Sequence, residues 1–159
     1  MKKHILKIAT LAVAGFVGFS SITLTSCSKT KGCKVEKDDK YDPSADEADN
    51  TKCDPTGTVN KFVGIYNGSE SCTSGNDTYS LEIEAGTSEY TIKIKNLFNL
   101  GATFVINANV SQKNITIPNQ TVSGVTVNGS GSLNGNSLSL TFSLSSAVGS
   151  DNCTFTGSK

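Results

Sequence analysis

Residues 79–95 read Tyr79-Ser-Leu-Glu-Ile-Glu-Ala85, then Gly86-Thr-Ser-Glu89, then Tyr90-Thr-Ile-Lys-Ile-Lys95. Apolar and polar residues alternate with a period of two on both sides of a four-residue, glycine-containing link. That is the pattern of two half-buried strands joined as a hairpin. Pairing about the link places Leu81, Ile83, Ile92 and Ile94 on one face. It places Glu82 opposite Lys93 on the other. Opposite charges facing each other across a strand pair contribute about 0.2–1 kcal/mol and help hold register.

The same pattern extends in both directions. Val59–Tyr66 is an upstream apolar run. Downstream, Phe104, Ile106, Ala108 and Val110 alternate with polar or outward residues. Ile115 and Ile117 precede Pro118, and Val122, Val125 and Val127 follow. Asn134-Gly135 is a type I′ turn signal. It introduces Ser137–Leu144, where Leu138, Leu140, Phe142 and Leu144 share a face. Cys153–Thr156 ends the series. About eight strands at roughly 12-residue spacing, with no helical periodicity, predict an all-β fold. Hairpin-length links make it an antiparallel up-and-down barrel of about eight strands, which leaves no exposed edge. A β-sandwich is the alternative architecture.

The first 26 residues have a different character. Lys2, Lys3 and Lys7 precede an apolar stretch from Ile8 to Phe19, and Leu24-Thr-Ser-Cys27 follows. A basic start, a short apolar run and small residues before a cut describe an export signal. The apolar run is shorter than the roughly 20 residues a membrane span needs. Leu24-Thr-Ser-Cys27 resembles the bacterial lipobox. The resemblance implies cleavage before Cys27 and lipidation of its thiol, anchoring the chain to a membrane. Ser28, next to the lipidated position, fits sorting to the outer membrane. Residues 1–26 are thus read as a lipoprotein signal peptide, 27–57 as a lipidated Cys with an acidic flexible tether, and 58–159 as the β-barrel domain.

With Lys2, Lys3, Lys7 and the single His4 gone, 11 Lys face 14 acids, the net charge is −3, and no His, Arg or Trp remains. His-based nucleophile systems and His-ligated metals are excluded. An acidic chain without Arg is a poor match for nucleic acid. Residues 28–57 hold eight acids and six Lys but only Val35 and Tyr41 as sizeable apolar groups. Such a composition resists packing. Its seven acids between Asp38 and Asp54 lack a calcium-loop pattern. Lys37-Asp38-Asp39 is similar to the Lys/acidic surface-export signal of some Bacteroidota lipoproteins.

Beyond Cys27, four Cys remain, which in an exported chain implies disulfides with three possible pairings. Cys72–Cys153 with Cys33–Cys53 is favoured. First and last strands of a meander barrel are neighbours, so the long bridge staples the seam, at roughly 4 kcal/mol in the chain-entropy model. A four-Cys zinc site is disfavoured because no Cys-x-x-Cys pair is present.

Lys61-Phe-Val-Gly-Ile-Tyr-Asn-Gly68 resembles the Gly-x-Trp opening of lipocalin-like (calycin-type) barrels, with Tyr66 in the Trp place. Ile115–Val122 and Gly129–Leu140 resemble segments of small Bacteroidota lipocalin-like lipoproteins. The resemblance covers 59–159 and implies a barrel holding a small apolar ligand. Phe62, Tyr66, Tyr90, Phe104 and Phe142, with Phe98 and Phe155, are the candidate lining residues. Ala108, Gly129 and Gly131 would leave room for that ligand. Glu82 and Glu84 form the nearest approach to a catalytic acid pair, but Lys93 is expected to neutralise them, so no enzyme and no cofactor are expected. The expectation is an outer-membrane lipoprotein, facing the periplasm or the cell surface. Its partners are the membrane through Cys27 and a small apolar ligand. The alternative is a non-catalytic structural or interaction module with a filled barrel, its partner an envelope protein.

Overall fold

The computed structural model describes residues 28–159. The expected signal peptide, lipobox and lipidated Cys27 lie outside the described residues. After two short strands, β1 (Lys31–Gly32) and β2 (Glu47–Ala48), strand-forming alternation is realised in eight more. These are β3 (Gly64–Cys72), β4 (Asn76–Ala85), β5 (Thr91–Lys95), β6 (Val105–Ser111), β7 (Asn114–Val122), β8 (Val125–Asn134), β9 (Ser137–Ser146) and β10 (Gly149–Ser158). They close in the order β10-β3-β4-β5-β6-β7-β8-β9, every neighbouring pair antiparallel. The barrel, rather than the sandwich, is the fold. Cys153 sits directly across from Cys72 in the β10–β3 seam. The bridges are Cys72–Cys153 and Cys33–Cys53, the favoured pairing.

The hairpin of β4 and β5 differs from expectation in its register. Glu82 pairs with Lys95 and Glu84 with Lys93. Tyr90 adopts a left-handed conformation (φ 56°) and is not part of the β4–β5 pairing, which ends at Ala85 and Ile92, so the link is longer than the alternation suggested. A shift of two residues preserves the faces, and Ile83 and Ile94 still meet inside. Lys95 then bridges both Glu82, at 3.6 Å, and Glu84.

Two further expectations are corrected upstream. The run Val59–Tyr66 is not one strand. Asp54 caps a short helix, α1 (Pro55–Asn60), by accepting from the Gly57 N–H, and Pro55 sits at its first turn. Both are helix-start chemistry. Residues 28–57 are not an unpacked tether either. Lys31–Gly32 (β1) pairs in parallel with Glu47–Ala48 (β2), a 3₁₀ turn spans Asn50–Lys52, and Cys33–Cys53 ties the piece together. Apolar content underestimated this segment because its organiser is polar. Asp38 is fully buried and accepts from the Lys40 and Asp54 backbone N–H groups and from the Tyr90 hydroxyl.

Short links between antiparallel strands alternate between the two ends of the barrel. One end carries the links 86–90, 112–113 and 135–136. The N-terminal segment plugs this end. The Lys37 carbonyl accepts from the Gln112 N–H at 2.8 Å, the Glu36 carbonyl from Gln112 Nε2 at 3.0 Å, and Asp39 pairs with Lys61. The other end carries the links 73–75, 96–104, 123–124 and 147–148.

Between the ends the interior is filled. Tyr66, Leu81, Ile92, Ile94, Ile106, Leu138, Leu140, Phe142 and Phe155 are all buried in one cluster. Inward glycines make room for large partners rather than for a ligand. A Cβ on Gly131 would collide with Leu140, and one on Gly129 with the Phe142 Cβ at 2.7 Å.

Candidate functional site

Of the seven aromatic residues expected to line a ligand cavity, six are core residues, Phe155 among them. Phe62, Tyr66, Tyr90, Phe104 and Phe142 are all buried, and none lines a cleft at the open end. Phe62 and Tyr66 belong to the plugged end. The Tyr66 hydroxyl donates to the Phe62 carbonyl at 2.8 Å, and burial pushes its pKa up to about 12. The Lys159 ammonium lies 5.2 Å from the Tyr66 ring centroid and donates to the Lys61 and Val63 carbonyls. Tyr90 is committed to Asp38 at 2.7 Å. Phe62, Tyr66 and Tyr90, with Lys159, close the barrel floor.

The open end is different. A cleft of about 460 Å³ runs between the 96–100 loop and the two hairpin tips, lined by Phe98, Leu100, Val125, Leu144 and Val148. Val148 is 99% exposed and Leu100 is 42% exposed. A second cleft of about 230 Å³ adjoins it, sharing Ser74 and Phe98, and adds Glu70, Cys72, Asn76 and Asp77. Of the expected lining residues, only Phe98 is here. Its loop is built on left-handed backbone at Asn96, Phe98 and Asn99 (φ 63°, 59° and 53°).

The acids at this end stand in contrasting surroundings. Asp151 accepts from the Thr73 and Asn152 N–H groups, both at 2.9 Å, and from the Thr73 and Ser74 hydroxyls. Those donors, the Ser74 and Thr73 hydroxyls foremost, hold its pKa below the ordinary carboxylate value. It is an ionised group that pins the β3–β4 turn to β10.

Glu70 faces inward on β3 and is 4% exposed. Among the described residues its one conventional donor is the Tyr79 hydroxyl, 2.6 Å from Oε2. Oε1 lies 3.3 Å from Cys72 Sγ, a disulfide sulfur with no proton to give. Burial drives the Glu70 pKa up; the Tyr79 bond opposes this, and the charges of Asp77 and Asp151 add to it. None of the ion pairs among the described residues involves Glu70. Tyr79 in turn accepts from the Phe98 N–H at 3.0 Å. A hydrogen-bond chain therefore runs from the rim backbone inward, Phe98 N–H to Tyr79 to Glu70.

Such a carboxyl can hold or release a proton and can receive a donor from outside. It cannot form a metal site with Cys72 and Cys153, although the three lie within 4.8 Å of one another. The sulfurs are bonded to each other and offer no thiolate. The same holds for Cys33, Cys53 and Asp38.

Glu70 was not singled out from sequence. Asn67-Gly-Ser-Glu-Ser-Cys72 carries no apolar alternation, so its inward positions look like surface. The one available signal was the two-residue offset from Cys72, which places Glu70 on the same face as the disulfide.

The molecule is thus a closed, disulfide-stapled, eight-stranded antiparallel β-barrel with one plugged end and one open cleft. No protein-family model matches the chain, and no curated protein matches it.

Proposed function

We propose that the protein is a lipid-anchored envelope barrel, of the small lipocalin-like lipoprotein kind, that binds a small apolar molecule at its open end without transforming it. The observation that carries this reading is the asymmetry of the barrel. One end is sealed by the N-terminal segment, while the other presents an apolar-lined cleft of about 460 Å³. That volume lies in the range of small-molecule sites. Exposed Leu100 and Val148 at its rim would otherwise cost solvation. The ligand seat is at the rim rather than in a deep calyx, because the interior is packed.

The anchor is the acylated Cys27 of the lipobox, on the outer membrane. The plug then lies between lipid and barrel and turns the open end away from the bilayer.

Two measurements test this. Labelled palmitate fed to a Gram-negative host expressing the full chain is expected to enter the protein, and Cys27→Ser to abolish both labelling and membrane retention. Native mass spectrometry of residues 28–159, exported behind a plain secretory leader, is expected to show a mass four hydrogens light with a small adduct. Absence of any adduct after incubation with lipid extract overturns the ligand reading. It favours a module whose rim meets an envelope protein.

A further inference from the structure

The cleft has a polar floor as well as apolar walls, and the floor is unbalanced. Glu70 is buried, yet one of its two oxygens meets only a disulfide sulfur. A carboxylate can accept about four hydrogen bonds, so this one has spare acceptor capacity. Buried acids ordinarily find a cation or several donors. The groups facing Glu70 are Tyr79 and Asp77 on β4, Asp151 on β10, and the Cys72–Cys153 bridge. The loop over it, 96–100, brings Asn96, Leu97, Phe98, Asn99 and Leu100, none charged. Among the described residues no Lys lines either cleft. An anionic headgroup would meet three acids there, and a neutral one would gain little.

We propose that the open-end cleft selects cationic amphiphiles, seating the apolar body against Phe98, Leu100, Leu144 and Val148 and receiving an ammonium N–H donor on the Glu70 carboxyl. This rests on the reading of the cleft as a small-molecule seat and names the class of molecule it takes. The ammonium supplies the donor that Oε1 lacks and the positive charge that Glu70, Asp77 and Asp151 lack. Binding also reaches the rim, since Glu70 holds Tyr79 and Tyr79 holds the Phe98 N–H.

The test compares three probes of equal chain length, decylamine, decanol and decanoate, below their micelle concentrations, by titration calorimetry on residues 28–159. These residues contain every element of the barrel and plug. Decylamine is expected to bind at least tenfold more tightly than decanol, and decanoate to be the weakest. Glu70→Gln is expected to remove the amine preference and leave decanol unchanged. The paired exposed changes Leu100→Ser and Val148→Ser are expected to weaken decylamine and decanol together. The Phe98 amide resonance is expected to shift with decylamine.

If decanoate binds as tightly as decylamine, or Glu70→Gln leaves the amine affinity unchanged, the headgroup assignment is overturned and the apolar seat stands. If no probe binds, the small-molecule reading falls with it. The ranking of the three probes on the unaltered protein decides the matter even if the Glu70 variant fails to fold.

Discussion

Three carboxyls show how little residue type decides. Asp38, Glu70 and Asp151 are all largely withdrawn from water. Burial pushes the Asp38 pKa up, but donors from Lys40, Tyr90 and Asp54 outweigh it and the net value is lowered. Glu70 has one donor and its pKa is raised. The consequences for stability have opposite signs. A depressed pKa makes Asp38 stabilising above its ordinary 3.8, and that contribution is lost as pH falls through the folded value. A raised pKa means the folded state holds the Glu70 proton more tightly. Its contribution is full below the ordinary 4.5 and is lost as pH rises through the folded value. Glu70→Gln keeps an acceptor for Tyr79 and removes the charge. It is expected to stabilise the protein at pH 8 by about 1 kcal/mol, or about 4 °C in Tm, and to flatten the thermal stability profile above pH 5. Unchanged stability in calorimetric scans at pH 8 would contradict it. Asp38→Ala is expected to cost about 2–3 kcal/mol, since it strands buried donors from three elements. Denaturant titration checks that value.

At the scale of elements, the β4–β5 hairpin was legible in its faces and not in its register. Alternation reports which side of the sheet a residue occupies, and a slip of two residues is invisible to it. The deciding fact was the left-handed backbone at Tyr90, whose hydroxyl is bonded to buried Asp38, 52 residues upstream. A double-mutant cycle on Glu84 and Lys95 is expected to give a coupling below about 1 kcal/mol that fades with salt, as exposed pairs do. The same cycle on Glu82 and Lys93, the pair an unshifted register would set opposite each other and between which no ion pair forms, is expected to give none. A coupling there as large as that of Glu84 with Lys95 would contradict the register. Helix α1 had signals that went unread, Asp54 before Pro55. Asp54→Ala is expected to cost about 1 kcal/mol through the lost cap, read as a lower urea midpoint.

For the whole molecule, two disulfides do separate jobs. Cys72–Cys153 closes a separation of 81 residues across the barrel seam, and Cys33–Cys53 closes 20 within the plug. Chain entropy assigns them about 4.5 and about 3 kcal/mol. The seam also carries the β10–β3 ladder from Cys153–Cys72 to Ser158–Asn67. Replacing Cys72 and Cys153 by Ala is therefore expected to lower the global Tm with the barrel still closed. Replacing Cys33 and Cys53 is expected to expose residues 28–57 to protease while 64–158 resists. Limited proteolysis with mass mapping separates the two, and cleavage spread through the barrel in the second variant would refute the division.

The sequence by itself determined an antiparallel barrel of about eight strands and most of its inward faces, and it favoured the disulfide pairing that the molecule has. A period of two, turn residues at fixed spacing and the adjacency of first and last strands are local or topological properties that leave a trace in residue order. Only the tertiary structure decided that the acidic segment 28–57 packs as a plug and that Phe62, Tyr66 and Tyr90 close the floor above it. It alone decided that the open cleft ends on Glu70. Each depends on which polar groups meet after the chain has closed. Asp38 folds its segment because Tyr90 and Asp54 arrive beside it. Glu70 stays underprovided because a disulfide, rather than a donor, arrives beside its second oxygen. Composition counts the donors and acceptors of a chain, and only closure assigns them to one another.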